Sequence, residues 1–232
     1  KLDAEGVPEL RLTPASSTEI KELQVYQCLK TSNNIARFWR DVDSVRQGNT
    51  WVAKLPVMNV DDYVFSYANI RYKNDCVLSS DFEAVIPAKL GKAVAMDKKS
   101  DLISAGTGQW SNVGPAEGVG GVQGFRPLDN RRGTSNIQFS DPRWKAPQGS
   151  KLSFRFYCTQ PQEIVLSANR RFTTDLEITA ANDWQSMTLQ AKELISHGVG
   201  LGDWSVADSI GIMPKADSDI TKVIFAEFKW VE

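Results

Sequence analysis

A tryptophan beside arginine, asparagine or aspartate in a loop is the grouping in this sequence best suited to chemistry. A sugar presents C–H-rich faces to a flat ring and hydroxyls to planar polar groups, and such loops offer both. Three stretches qualify. One is Gly106-Thr-Gly-Gln-Trp110-Ser-Asn112. Another is Asp129-Asn130-Arg131-Arg132, with Trp144 following in Asp141-Pro-Arg-Trp-Lys-Ala-Pro147. The last is Asn182-Asp183-Trp184. Trp110 and Trp144 are the expected stacking faces, and Asp129, Arg131 and Arg132 the expected hydroxyl partners. Each also has a structural reading. Trp110 would pin a glycine-rich loop, Asp129–Arg132 would form a solvated turn, and Trp144 would close one end of a core. Trp184 is expected to cover a core edge, and Trp204 and Trp230 to lie inside one.

Catalytic groupings are missing by type or by spacing. The single histidine, His197, precedes a glycine and is expected at a helix end, and no Gly-x-Ser-x-Gly turn is present to hold a nucleophile. One histidine and three scattered cysteines (Cys28, Cys76, Cys158) do not make a zinc set. They leave one disulfide or three thiols open. Gly118-Val-Gly-Gly-Val-Gln-Gly124 lacks the βαβ surroundings of a dinucleotide loop, and Ser104-Ala-Gly-Thr-Gly108 lacks the lysine of a phosphate loop. Glu117, Asp129, Asp141, Asp175, Glu177, Asp183, Asp203 and Asp208 could form the paired carboxylates of a glycosidase, but most fall at turns where aspartate caps backbone amides. The chain is therefore expected not to be an enzyme and to need no cofactor. A calcium ion held by loop oxygens stays open as a structural element, although no dense Asp-x-Asp array is present.

The bulk composition sets the frame. With 41% hydrophobic and 24% charged residues in 232 positions, the chain is an ordinary globular sequence long enough for two domains. A formal charge of -1 without a basic block argues against nucleic acid as a partner. No apolar run approaches the ~20 residues of a membrane span. The opening at Lys1, without a methionine, reads as a processed or excised product.

The elements that must position these residues are strands. In the first part they are expected at 9–13, 23–29, 36–42, 50–57, 63–72 and 76–87, separated by turn residues such as Thr31-Ser-Asn-Asn34 and Gln47-Gly-Asn49. Within 63–72, Val64, Ala68, Ile70 and Tyr72 can face a core while Asn69 and Arg71 face water. Later strands are expected at 152–158, 163–168, 176–179 and 186–189. In the final run, 220–231, Val223, Phe225, Glu227 and Lys229 would line one side, and Ile224, Ala226, Phe228 and Trp230 the other. Half of the sixteen glycines lie between 106 and 133, which predicts long ordered loops there. Residues 191–197 form the one clear helical candidate of the second part. The reading is an all-β chain of two sandwiches, over 1–90 and 93–232, joined by a short crossing.

Cys28, with Trp39 eleven positions on, and the strand bearing Tyr63 and Tyr67 are similar to immunoglobulin domains, but Cys76 lies past the strand that should carry the second cysteine. A fibronectin-like domain without a disulfide fits this better, with Trp39 as a core anchor. Two longer stretches, 36–72 and 139–154 (with Phe139-Ser-Asp-Pro-Arg-Trp-Lys-Ala-Pro147), resemble the region following the catalytic domain in secreted bacterial α/β-hydrolases of the esterase and dienelactone-hydrolase type. The second domain resembles the galactose-binding-like jelly roll of carbohydrate-binding modules. These resemblances imply a secreted or periplasmic accessory module that binds carbohydrate and places a hydrolase domain of its parent chain on it. A protein-interaction module packed on that hydrolase is the alternative. A carboxylate-dependent glycoside hydrolase on a β scaffold, with two carboxyl groups roughly 5–9 Å apart across a cleft, is a third.

Overall fold

Apolar residues at alternate positions of 63–72 place that segment in the middle of a sheet, with one face on a core. The computed structural model describes residues 1–15, 19–30, 37–104 and 110–232. The expected turn at 31–34, the start of the expected strand at Ala36, and Gly106 and Gly108 lie outside these described residues. The fold is all-β and antiparallel, in two units: Lys1–Lys99 with Asp141–Arg143, and Ser100–Ser140 with Trp144–Glu232.

The first unit contains β1 (Glu9–Leu12), β2 (Ile20–Leu29), β3 (Arg40–Val42), β4 (Ser44–Gln47), β5 (Thr50–Lys54), β6 (Val64–Tyr72), β7 (Val77–Ser79) and β8 (Glu83–Val85). One sheet runs β1-β5-β4, and the other runs β3-β2-β6-β7 with β8 also on β6. Between them Val25, Leu29, Val64 and Ala68 meet Ala53, Leu55 and Val57. The single strand expected over 76–87 is two, because the Ala68 N–H donates to Ser80 Oγ (2.9 Å) and interrupts the ladder there. The unit also runs past the expected end at residue 90. Val94 N–H donates to Gly6 C=O, Asp97 N–H donates to Val57 C=O, and the Asp97 carboxylate bonds Arg40. These bonds hold residues 91–99 with the first sandwich.

The second unit contains β9 (Leu102–Ser104), β10 (Val113–Glu117), β11 (Gln123–Pro127), β12 (Thr134–Asn136), β13 (Lys151–Tyr157), β14 (Gln162–Ala168), β15 (Phe172–Ile178), β16 (Gln185–Leu189), β17 (Ile195–Ser196), β18 (Val199–Gly200), β19 (Ile210–Pro214) and β20 (Ile224–Val231). One sheet runs β10-β11-β20-β13-β16, with β9 on β20, and the other β12-β19-β14-β15-β17-β18. Phe125, Phe154, Phe225 and Phe228 from the first sheet meet Ile164, Leu166, Ile178 and Ile212 from the second. Trp204 and Trp230 are in this core, as expected.

Three sequence expectations need correction. The glycine-rich segment is not all loop, since β10 and β11 form a hairpin inside it. Two of its glycines serve close approach: a Cβ on Gly124 would fall 2.4 Å from Phe225 O, and one on Gly118 2.4 Å from the Trp184 ring. The helix expected over 191–197 is one short 3-10 turn, Ala191–Glu193, followed by the β17–β18 hairpin. His197 and Gly198 both have positive φ, the backbone that a two-residue hairpin turn requires. The alternation of 220–231 also breaks. A bulge at Glu227, whose φ is +52°, shifts the register, so Phe225 and Phe228 reach the same core with rings 6.3 Å apart.

Gly124→Ala should lower stability by about 1–3 kcal/mol in urea melts, because the added methyl group meets the β20 backbone. Gly202→Ala, in open space and without a positive φ, should change it by no more than about 1 kcal/mol.

Candidate functional site

Strand alternation in β2 and β6 creates two unlike faces. Val25 and Ala68 point to the core, so their neighbours Tyr26 and Tyr67, paired in register, point away from it. Their rings stack at 5.0 Å and 20°. Trp39 meets the Tyr67 ring edge-on at 4.9 Å and the Phe82 ring at 5.9 Å. Phe82 stacks on Phe65 at 5.7 Å, and Phe65 on Tyr63 at 5.7 Å. The Arg37 guanidinium lies over Phe65, 4.2 Å from the ring centre. Six aromatic side chains thus form one continuous platform. Tyr63 and Phe82 are 45% and 49% exposed, Tyr26, Trp39 and Tyr67 are half-buried, and Phe65 is buried beneath Phe82 and Arg37 as the support of the others.

Polar groups surround the rings. Tyr26 Oη donates to Gln24 Oε1 (2.8 Å), whose Nε2 donates to Glu22 Oε1 (2.9 Å). Asp41 is opposite Tyr26 across β3 and β2. Burial and the neighbouring Tyr26 raise the Tyr67 hydroxyl above the usual tyrosine range, so it stays a donor. Cys28, two residues beyond Tyr26 on the same face, is buried, and that burial pushes its thiol up to about 11. It is a packing residue. Cys28, Cys76 and Cys158 are all free thiols.

The residues expected to bind do not converge in this way. Trp110 is 6% exposed and packs on Phe125 (5.0 Å) and Phe228 (4.7 Å), so neither ring face is open to a sugar. Its assignment as a stacking face is corrected: a bridge to Asn136 draws it into the core. Trp144 is half-buried; its carbonyl accepts from Trp230 Nε1 (2.9 Å), and its indole N–H donates to Gln138 when that amide is turned to suit its neighbours. Asp129 Oδ1 accepts from Arg131 N–H (2.6 Å), capping the exposed turn that carries Arg131 and Arg132. Trp184 rests on Gly118 and donates to Val119 C=O (3.0 Å). Trp39, read as a core anchor, belongs instead to the platform. Its sequence signal was the β6 run, where Phe65 and Tyr67 alternate with Val64, Ser66 and Ala68, leaving apolar side chains for both faces.

Most of the carboxylates weighed for catalysis are engaged elsewhere. Asp203 caps Ser205 N–H and accepts from Gly149 N–H, and these bonds hold its carboxyl below the usual range. Asp208 pairs with Lys145, and Glu117 accepts from Gln123. Glu163 and Glu177 are opposite each other in register but exposed, and Glu163 is bonded to Lys215 (2.9 Å). Asp141 is buried with Arg40 and Asp97. Arg40 Nη2 donates to Asp97 Oδ2 at 2.6 Å and to Pro56 C=O at 3.1 Å, while Asp141 Oδ2 is 3.9 Å from Arg40 Nε. Burial raises the Asp141 pKa, against the opposing pull of Arg40. Among the described residues no group of three or more His, Cys, Asp or Glu is placed to hold a metal ion.

Compared with protein-family models and with curated proteins, the sequence matches none.

The two buried carboxylates should respond differently to neutralisation. Asp97→Asn breaks the close pair with Arg40 and should cost about 3–5 kcal/mol. Asp141→Asn keeps the cap on Arg143 N–H and removes a charge whose burial is unfavourable, so stability at pH 7 should change by less than about 1 kcal/mol. The folded pKa of Asp141 is raised, so its contribution is fully present below the ordinary carboxylate pKa and is lost as pH rises through the folded value. Urea melts of both variants against pH check the order and the sign.

Proposed function

We propose that the chain is a non-catalytic accessory module that binds a polysaccharide, and that the platform on the outer face of β2 and β6 is its binding surface. The observation that carries this reading is the six-ring cluster turned away from its own core. Aromatic side chains on a water-facing sheet leave apolar surface uncovered, which a sugar's C–H face can cover while its hydroxyls reach polar neighbours. Gln24, Asn69 and Asp41, in register beside the tyrosines, are suited to those hydroxyls. The strands beneath are paired along their length, so the surface needs little ordering on binding.

The engagement of most of the candidate carboxylates in caps and ion pairs supports a non-catalytic role. The resemblance to regions that follow secreted hydrolase domains supports a place outside the cytoplasm, beside a catalytic domain that would profit from being held on its polymer. A galactose-binding-like jelly roll is the finer description we propose for the second sandwich.

A polysaccharide affinity-gel screen of the chain tests this, followed by calorimetry on any glycan class retained. Trp39→Ala and Phe82→Ala should each weaken binding by about 1–2 kcal/mol, roughly tenfold, without a shift in the melting midpoint of more than a few degrees. Trp110→Ala should instead cost about 3–5 kcal/mol of stability. Failure of the folded chain to hold any glycan would discard the reading and favour a protein-packing role for the same face.

A further inference from the structure

The second unit has a groove of a different chemical character. It crosses the solvent face of the sheet containing β12, β19, β14 and β15, and encloses about 470 Å³. Its floor is one row in register, Ser135, Gly211, Ser167 and Thr173, taken from the four strands in turn. A Cβ on Gly211 would meet Ser167 Oγ at 2.7 Å, so glycine keeps the floor low. Arg132 and Arg170 both line the groove, reaching it from turns at opposite ends of the strands.

Charge sets this groove apart from the rest of the same face. Lys215, further along the sheet, is neutralised by Glu163 (2.9 Å) and Asp175 (2.8 Å). Neither Arg132 nor Arg170 has a carboxylate partner among the described residues. Two positive charges at a partly enclosed groove attract an anion, and a guanidinium can hold a carboxylate or sulfate through two parallel hydrogen bonds.

Both turns are held in place by an asparagine next to the arginine or nearly so. Asn169 Oδ1 accepts from Asp208 N–H (2.7 Å), and its Nδ2 donates to Val206 C=O (3.0 Å). Asn130 Nδ2 donates to Ser218 C=O (2.8 Å), and its Oδ1 accepts from Ile220 N–H (2.8 Å). Arg170 has a φ of +56° at the second position of its hairpin turn, where the backbone favours glycine. The sequence places a long cation on a rigid turn at a position that suits a residue without a side chain.

We propose that this groove binds a saccharide carrying carboxylate or sulfate groups. Arg132 and Arg170 hold the anionic groups, and Ser111, Ser135 and Thr173, which also line the groove, face the hydroxyls. The site belongs to the second unit alone and does not depend on the aromatic platform. The saccharide is acidic, so binding weakens as salt is added.

Calorimetry of the full chain with an oligogalacturonate, a sulfated oligosaccharide and an uncharged oligosaccharide of equal length tests the proposal. At least one acidic probe should bind, at least tenfold more tightly than the neutral one, and more weakly at higher salt. R132Q and R170G should each reduce that affinity at least tenfold. R170G should melt no lower than the parent chain, since glycine suits its backbone, so a loss of binding there is not a loss of folding. W39A should leave this affinity unchanged. The proposal is overturned if no acidic probe binds, if the neutral probe binds as tightly, or if R132Q and R170G keep affinity within twofold. An acidic saccharide lost in W39A but kept in R170G would belong to the platform and would also overturn it.

Discussion

Strand β20 is hydrogen-bonded along both edges, to β13 on one side and to β11 and β9 on the other, so most of one sheet of the second unit is built on it. Its side chains are as constrained as its backbone. Phe225, Phe228 and Trp230 all enter the core, and Phe228 stacks on Phe154 at 4.8 Å. A regular strand would send Phe225 and Phe228 to opposite faces; the bulge at Glu227 lets both turn inward. The same core sets the place of Trp110, whose ring lies 4.7 Å from Phe228, and thereby removes it from the surface.

The two proposed surfaces follow from one geometric rule applied to different residues. A strand with one face on a core must show its other face to something else. On β2 and β6 that other face carries large rings, which give a broad, weakly polar platform. On β14 and β19 it carries Ser167 and Gly211 in one row, which give a shallow channel bounded by Met213 and by longer side chains from the turns. Ring area and low floor are alternative ways for a sheet to acquire relief, and this chain has both.

How far the sequence disclosed this depended on the kind of signal. Alternating patterns located most strands to within a few residues, because period-two burial is a local property. Segment 76–87 was misread because a single serine hydroxyl, Ser80, competes for a ladder bond. Residues 191–197 were misread because Ser196 and Val199 flank a two-residue turn formed by His197 and Gly198. The tryptophans were the poorest guide. Trp110 and Trp39 have similar polar surroundings in sequence, and their opposite fates come from partners distant in the chain, Phe228 for one and Tyr67 for the other. Arg132 was recognised as a candidate and Arg170 was not, since only tertiary structure brings the β14–β15 turn to the groove containing Arg132.

Because β20 comes after every strand it joins, the order of synthesis matters. While a ribosome is still adding residues 158–223, β9, β11 and β13 exist without the strand that pairs with them, and Ser104 waits for Phe228. Unpaired edges are the surfaces on which chains stick to one another, so this half of the protein is exposed to aggregation throughout its elongation. The first unit closes much earlier, with Asp97 and Arg40 available long before β20 exists, although Asp141–Arg143 joins it later. A nascent chain would therefore carry one nearly finished sandwich and one open one. A chaperone acting during translation would find its substrate in the second.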